Sequence, residues 1–109
     1  MTAIAAQRMG CEVALVVFGD CPHAEEARHH LEEALKKVGL DHLEPRLVVV
    51  TDPEEGRRAG LHGSPTFLVN GHDPFPVEED ATWACRLYCT PEGMRGVPTV
   101  SQLEAVLRE

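Results

Sequence analysis

Residues 12–22 read EVALVVFGDCP, an almost unbroken β-branched and apolar run followed by a Gly-Asp-Cys-Pro break. Such a run over 12–18 suits a strand covered on both faces (β1), as the central strand of a parallel or mixed sheet is. Gly19 and Asp20 end it. Pro22 is suited to a first helical position, where its missing N–H would have had no partner, and this makes Cys21 the expected N-cap. Ala24, Ala27, Leu31, Ala34, Leu35 and Val38 then recur at steps of three and four. The pairs Glu32 with Lys36 and Glu33 with Lys37 lie on the opposite side, so a helix over 22–38 is expected (α1), with Gly39 at C′.

Outward from this unit, LVVVT at 47–51 is a second strand (β2), and the connection is long enough for a right-handed crossover, hence parallel pairing. Thr51-Asp52-Pro53-Glu54-Glu55 begins a helix of one to two turns ending at Gly60 (α2). Residues 66–69 form a short strand (β3), and Asn70-Gly71 favours a type I′ turn and an antiparallel return. The Pro-rich acidic stretch 73–80 delays that return to 83–88 (β4). Ser101 with Glu104 makes a capping box for a last helix (α3) turning Leu103, Val106 and Leu107 inward. The expected architecture is one α/β domain over 1–109, ordered β1-α1-β2-α2-β3-β4-α3, with a four-stranded mixed sheet flanked by helices.

A chain of 109 residues, 43% hydrophobic, supports one small core and leaves no room for a separate catalytic domain. With 18 acidic and 10 basic side chains the formal net charge is -8, a surface that repels phosphate backbones, so nucleic acid is not an expected partner. The apolar run at 13–18 is far shorter than the roughly 20 residues that span a bilayer, and it serves no better as a signal-peptide core. The expectation is a cytoplasmic protein without a membrane partner. Four cysteines, at positions 11, 21, 85 and 89, are too few and too uneven for a secreted disulfide scaffold, which points to a chemical role.

Cys21 is the candidate nucleophile. A thiol at a helix start meets free N–H groups and the positive end of the macrodipole, which favour the thiolate, and His23 adds a donor or a positive charge. Asp20, Glu25 and Glu26 oppose this, and the bland alternative is an inert buried thiol. With β3 between them, β1 and β4 stand nearly 10 Å apart, whereas a disulfide needs Cα atoms within roughly 7 Å. Cys85 or Cys89 reaches Cys21 only if a loop bends inward. Those two are themselves about 13 Å apart along a straight strand. Cys85 suits core packing as well as a redox or metal role, Cys89 is expected to be more exposed, and Cys11, at the far end of β1, is a poor resolving thiol.

Two loops carry a resemblance. Cys21-Pro22 after the first strand and Gly63-Ser64-Pro65-Thr66 before the third resemble the thioredoxin-like superfamily. That likeness implies a reactive cysteine at 21 and a cis proline at 65 beside it, with Pro22, Ser64, Pro65 and Thr66 lining a substrate groove. Cys-Pro-His also resembles the motif of periplasmic disulfide oxidases. The chain departs from the Cys-x-x-Cys pattern at Ala24, which excludes dithiol cycling within this loop. Together with Val69-Asn70-Gly71-His72-Asp73-Pro74-Phe75 and Ala84-Cys85-Arg86-Leu87-Tyr88, the pattern is similar to small bacterial thioredoxin-like proteins, some labelled alkylmercury lyases. Lyase chemistry requires two cysteines and an acid converging on one carbon–mercury bond.

The resemblance and the residues together imply a thiol–disulfide oxidoreductase or thiol-exchange protein with one nucleophile. Cys21, tuned by His23, attacks a disulfide, peroxide or other soft electrophile, leaving a mixed disulfide, sulfenate or metal thiolate. Cys85, Cys89 or an external thiol resolves it, the partner being a protein or a low-molecular-weight thiol or disulfide, with no cofactor. Three rivals remain. One is a non-catalytic module holding a peptide or partner protein at the edge before Pro65. Another is mercury or zinc binding by Cys85 and Cys89 with His72 or Cys21, although no second compact pair completes a tetrahedral site and no metal ligands are assigned. The last is a thioredoxin-like [2Fe–2S] ferredoxin using Cys11-x9-Cys21 and Cys85-x3-Cys89, against which the placement of the later pair after the proline loop argues. His29 and His30 are expected on different sides of a helix, solvated or partly packed, His42 and His62 are expected in loops rather than as ligands, and the acidic residues near position 80 carry no role.

Overall fold

A computed structural model describes residues 12–75 and 83–108; Cys11 and the acidic residues near position 80 lie outside the described residues. The β-branched run forms β1 (Val13–Phe18), which pairs parallel with β2 (Arg46–Val50) and antiparallel with β3 (Thr66–Val69). It is the central strand of this three-stranded mixed sheet. Its alternate side chains serve two cores, as a strand covered on both faces must. Val13, Leu15 and Val17 pack with Ala27, Leu31, Ala34 and Leu35 of α1 (Ala24–Lys37) and with Leu103 and Leu107 of α3 (Val100–Leu107). On the other face Val16 packs with Val50 and Leu61, next to Ala59 at the end of α2 (Pro53–Ala59). Edge strand β2 leaves Leu47 and Val49 exposed on the α1 side. No helix among the described residues is long and apolar enough to cross a membrane.

Several local expectations hold. Asp52 caps α2, accepting from the Glu55 N–H at 2.8 Å, with Pro53 opening the helix and Gly60 closing it at φ 87°. Asn70 and Gly71 both have positive φ, 53° and 83°, as a type I′ turn requires, and Val69 bridges His72 across it.

Three expectations need correction. Cys21 is not the N-cap of α1: that position belongs to His23. The Cys21 N–H donates to the Phe18 carbonyl at 3.5 Å and the Ala24 N–H to the Cys21 carbonyl at 3.3 Å, so tight turns occupy 18–24 before the helix. The capping box of α3 is Thr99 with Gln102, not Ser101 with Glu104. Thr99 follows Pro98, whose carbonyl lies 2.8 Å from His30 Nδ1 on α1, and that contact fixes where α3 begins.

The sheet is also not four-stranded. In place of a strand over 83–88, the chain makes a single parallel bridge between Cys85 and Ser64. It then forms a separate hairpin of β4 (Tyr88–Thr90) and β5 (Gly93–Arg95). The cause is Arg86, which leaves the sheet edge for a carboxylate at the proline loop.

Replacing Thr99 by alanine removes a side-chain cap and is expected to cost about 1 kcal/mol, within the usual 0.5–2 kcal/mol or so. Ser101→Ala is expected to change stability by less than about 0.5 kcal/mol, because Ser101 is an exposed residue inside the helix. Urea denaturation of the two variants checks this, and the reverse ranking would refute the observed cap.

Candidate functional site

Cys21 sits in the turn that leaves the central strand, half-buried against the α1 and α3 core that also contains Tyr88. Its neighbour His23 lies on Gly96: a Cβ at that glycine would stand 2.6 Å from the imidazole Nε2. The histidine therefore needs a glycine opposite it, and its side chain makes no capping hydrogen bond. Pro22 is exposed.

The loop at 62–66 is buried and internally satisfied. The Ser64–Pro65 peptide bond is cis. Thr66 Oγ1 donates to the Gly63 carbonyl at 2.6 Å and accepts the His62 N–H at 2.8 Å. Ser64 Oγ accepts the Phe18 N–H at 3.1 Å, which ties this loop to the end of β1, three residues before Cys21. Ser64, Pro65 and Thr66 are all buried, so the loop fastened to the strand exit is a firm wall.

Residues 83–88 form a strap across that wall. The Ser64 N–H donates to the Ala84 carbonyl at 2.8 Å, and the Arg86 N–H donates to the Ser64 carbonyl at 2.9 Å. Gly63 permits the close approach, with φ 91° and only 2.9 Å between its would-be Cβ and Arg86 Cβ. Trp83 anchors one end. Its ring centroid lies 4.4 Å from that of Phe18, and it covers Gly56, where a Cβ would touch the indole at 3.2 Å. Tyr88 anchors the other end by donating its hydroxyl to the Pro65 carbonyl.

Comparison with protein-family models, curated proteins and solved structures finds no match for this chain. What the site can do therefore has to be argued from its own chemistry.

The strongest electrostatic feature is a buried ion pair that holds the strap in place. Arg86 Nη1 donates to Asp73 Oδ2 at 2.6 Å, with side-chain exposures of only 7% and 5%. The same oxygen lies 3.3 Å from His62 Nδ1, and Oδ1 accepts the Phe75 N–H at 2.9 Å. The guanidinium also sits 4.4 Å from the centroid of the Tyr88 ring. Tyr88, Phe67 and Phe75 meet edge to face, at 5.3 to 6.1 Å between centroids. Removing one partner of such a pair leaves the other charge uncompensated, a loss of about 3–5 kcal/mol.

Of the residues expected at the site, Ser64, Pro65 and Thr66 form one buried loop fastened to Phe18, three residues before Cys21, and Cys85 bridges Ser64, whereas His23 lies against Gly96. Cys85 is exposed rather than core-packed. Cys89 is exposed on β4, paired opposite Met94. His62 is a loop residue, as expected, and it supports Asp73. No three His, Cys, Asp or Glu side chains among the described residues lie together as metal ligands would. Asp73, Arg86, Tyr88, Trp83 and Gly96 had no role assigned from sequence. The available signal is Arg86 itself: an arginine within an expected strand needs a carboxylate wherever it is buried.

Burial pushes the Tyr88 phenol well above its ordinary value of 10.0; Arg86 pulls it down, while Asp73 and Cys21 push it further up. The phenol is a neutral donor throughout the physiological range. On unfolding it would ionise near about pH 10, while the folded chain keeps its proton to higher pH. Its contribution to stability is therefore complete below about pH 10 and declines as pH rises above that value. Tyr88→Phe is expected to cost about 1–3 kcal/mol at neutral pH, through the orphaned Pro65 carbonyl, and to flatten the alkaline decline. Urea midpoints at several pH values between about 9 and 11.5 check both effects; an unchanged alkaline slope would rule Tyr88 out as its source.

Proposed function

We propose that this chain is a thioredoxin-like thiol-exchange protein in which Cys21 is the single attacking sulfur. The observation that supports this best is convergence. The half-buried Cys21 lies at the exit of the central strand, three residues after the Phe18 to which the buried Ser64-Pro65 loop is fastened, and packs on the core that contains Tyr88. A cysteine kept only for packing needs no such polar company. The element order, with a parallel β1-β2 pair, an antiparallel β3 and helices on both faces, is compatible with this fold reading.

The chemistry proceeds by displacement. The Cys21 thiolate attacks one sulfur of a disulfide, the new Sγ–S bond forms as the old S–S bond breaks, and the departing sulfur keeps the electron pair and takes a proton from water. Ala24 occupies the place where a second cysteine of the same loop would resolve the adduct. Resolution falls to a small external thiol or to Cys85, which is paired with Ser64 next to Pro65, ahead of Cys89 on its separate hairpin. His23, held by Gly96, positions the turn that carries Cys21.

The test uses the wild-type chain, Cys21→Ser, and a double variant with Cys85 and Cys89 both changed to serine. With a chromogenic small disulfide added to prereduced chain freed of external thiol, wild type is expected to release chromophore in a fast phase of one equivalent from Cys21, ahead of slower release from its other thiols. Cys21→Ser should lose at least about 90% of the fast phase, and the double variant should keep it. Equal fast phases in wild type and Cys21→Ser would end this reading.

A further inference from the structure

Resting on Cys21 as nucleophile, we infer that the site serves small disulfides rather than disulfides within extended polypeptides. Residues 84–86 already occupy the backbone edge beside Pro65 on which an extended chain would pair.

Recognition of an extended peptide at a sheet edge needs free backbone N–H and C=O groups to form a ladder. At Ser64 both are taken, at 2.8 and 2.9 Å, by Ala84 and Arg86 of the same chain. The next carbonyl, that of Pro65, is taken by the Tyr88 hydroxyl. A peptide would therefore have to displace the strap. Exchanging these hydrogen bonds one for one would be nearly neutral, but the side-chain anchors would be lost without replacement. The Arg86 guanidinium would leave the buried Asp73 carboxylate at 2.6 Å, and Trp83 would leave Phe18 and Gly56. Small molecules escape this penalty because they require no backbone ladder. The covalent step is the same for both substrate classes, with no net oxidation or reduction and no further reactant, so the difference arises in access alone.

The experiment uses a chain with Cys11, Cys85 and Cys89 replaced by serine, leaving Cys21 as its only thiol. Two probes carry the same 2-pyridyl leaving group: the mixed disulfide of a small neutral thiol, and that of a cysteine in the middle of an extended neutral peptide of about ten residues, long enough to span a strand pairing. Release of thiopyridone gives both rates, each divided by the rate with a free small thiol to remove intrinsic reactivity. The expected result is a preference for the small probe of roughly 100-fold, the scale set by breaking a buried ion pair. Trp83→Ala and, separately, Arg86→Met should each raise the peptide rate at least several-fold while leaving the small-probe rate unchanged. Circular dichroism of each variant establishes that it is folded, and the more exposed Trp83 serves where Arg86→Met is not.

Equal normalised rates for the two probes would overturn this inference alone. A preference that persists in a folded strap variant would overturn it as well, since the strap would not be the cause. Release from neither probe would overturn the thiol reading and this inference with it.

Discussion

The arrangement around Cys21 depends on where one guanidinium can be buried. Arg86 is 7% exposed at its side chain, and a charge so enclosed is tolerable only with an opposite charge and further hydrogen bonds in place. Asp73 supplies the charge, the Phe75 carbonyl receives the second nitrogen at 3.5 Å, and the Tyr88 ring offers its face. Because the chain returns after the Asn70-Gly71 turn and brings Asp73 to His62, the arginine has to come to the start of β3, at the proline loop, to reach it. Residues 84 and 88 come with it, and this brings Ala84 to Ser64 and Tyr88 to Pro65.

The main elements were legible because each has a strong local cause. β-branched runs marked β1, β2 and β3, the spacing of apolar residues marked α1, and Asp52-Pro53 with Gly60 bounded α2. The two cap errors have a common origin. Thr99 with Gln102 and Ser101 with Glu104 both satisfy the same capping pattern, and Cys21 and His23 both precede the same apolar periodicity. Local chemistry did not separate the alternatives. Tertiary contacts did, through Pro98 against His30 and through the fit of the His23 ring to Gly96. Similarly, the proline loop could be located from Gly63-Ser64-Pro65-Thr66, but Asp73 and Arg86 are 13 residues apart, and their pairing has no sequence period to reveal it.

The shift of the N-cap from Cys21 to His23 changes what holds the thiol. A residue at the N-cap would lie at the mouth of the helix, where the macrodipole acts most strongly; the effect falls off within about a turn. In the observed geometry Cys21 is part of the turns that join β1 to α1, and its carbonyl is already engaged by the Ala24 N–H at 3.3 Å. The surroundings that define it are therefore those of a tertiary corner. They comprise the central-strand exit at Phe18, the Ser64 hydroxyl that fastens the proline loop to that exit, and the neutral phenol of Tyr88.

The absence of a fourth strand follows from the same accounting of polar groups. On β3, Phe67 and Val69 face the α1 and α3 core, while Leu68 faces the opposite one. A strand over 83–88 laid beside β3 would alternate its side chains between these two apolar faces, so Arg86 would enter hydrocarbon whichever register was chosen. A single bridge at Ser64 avoids that outcome. It lets Ala84 and Arg86 satisfy the loop's backbone, turns the guanidinium toward Asp73, and leaves Cys85 and Leu87 pointing to solvent. The sheet gives up a ladder of backbone bonds, and the proline loop gains a cover fixed by a buried charge. That cover, rather than a further strand, occupies the backbone groups of Ser64 and Pro65.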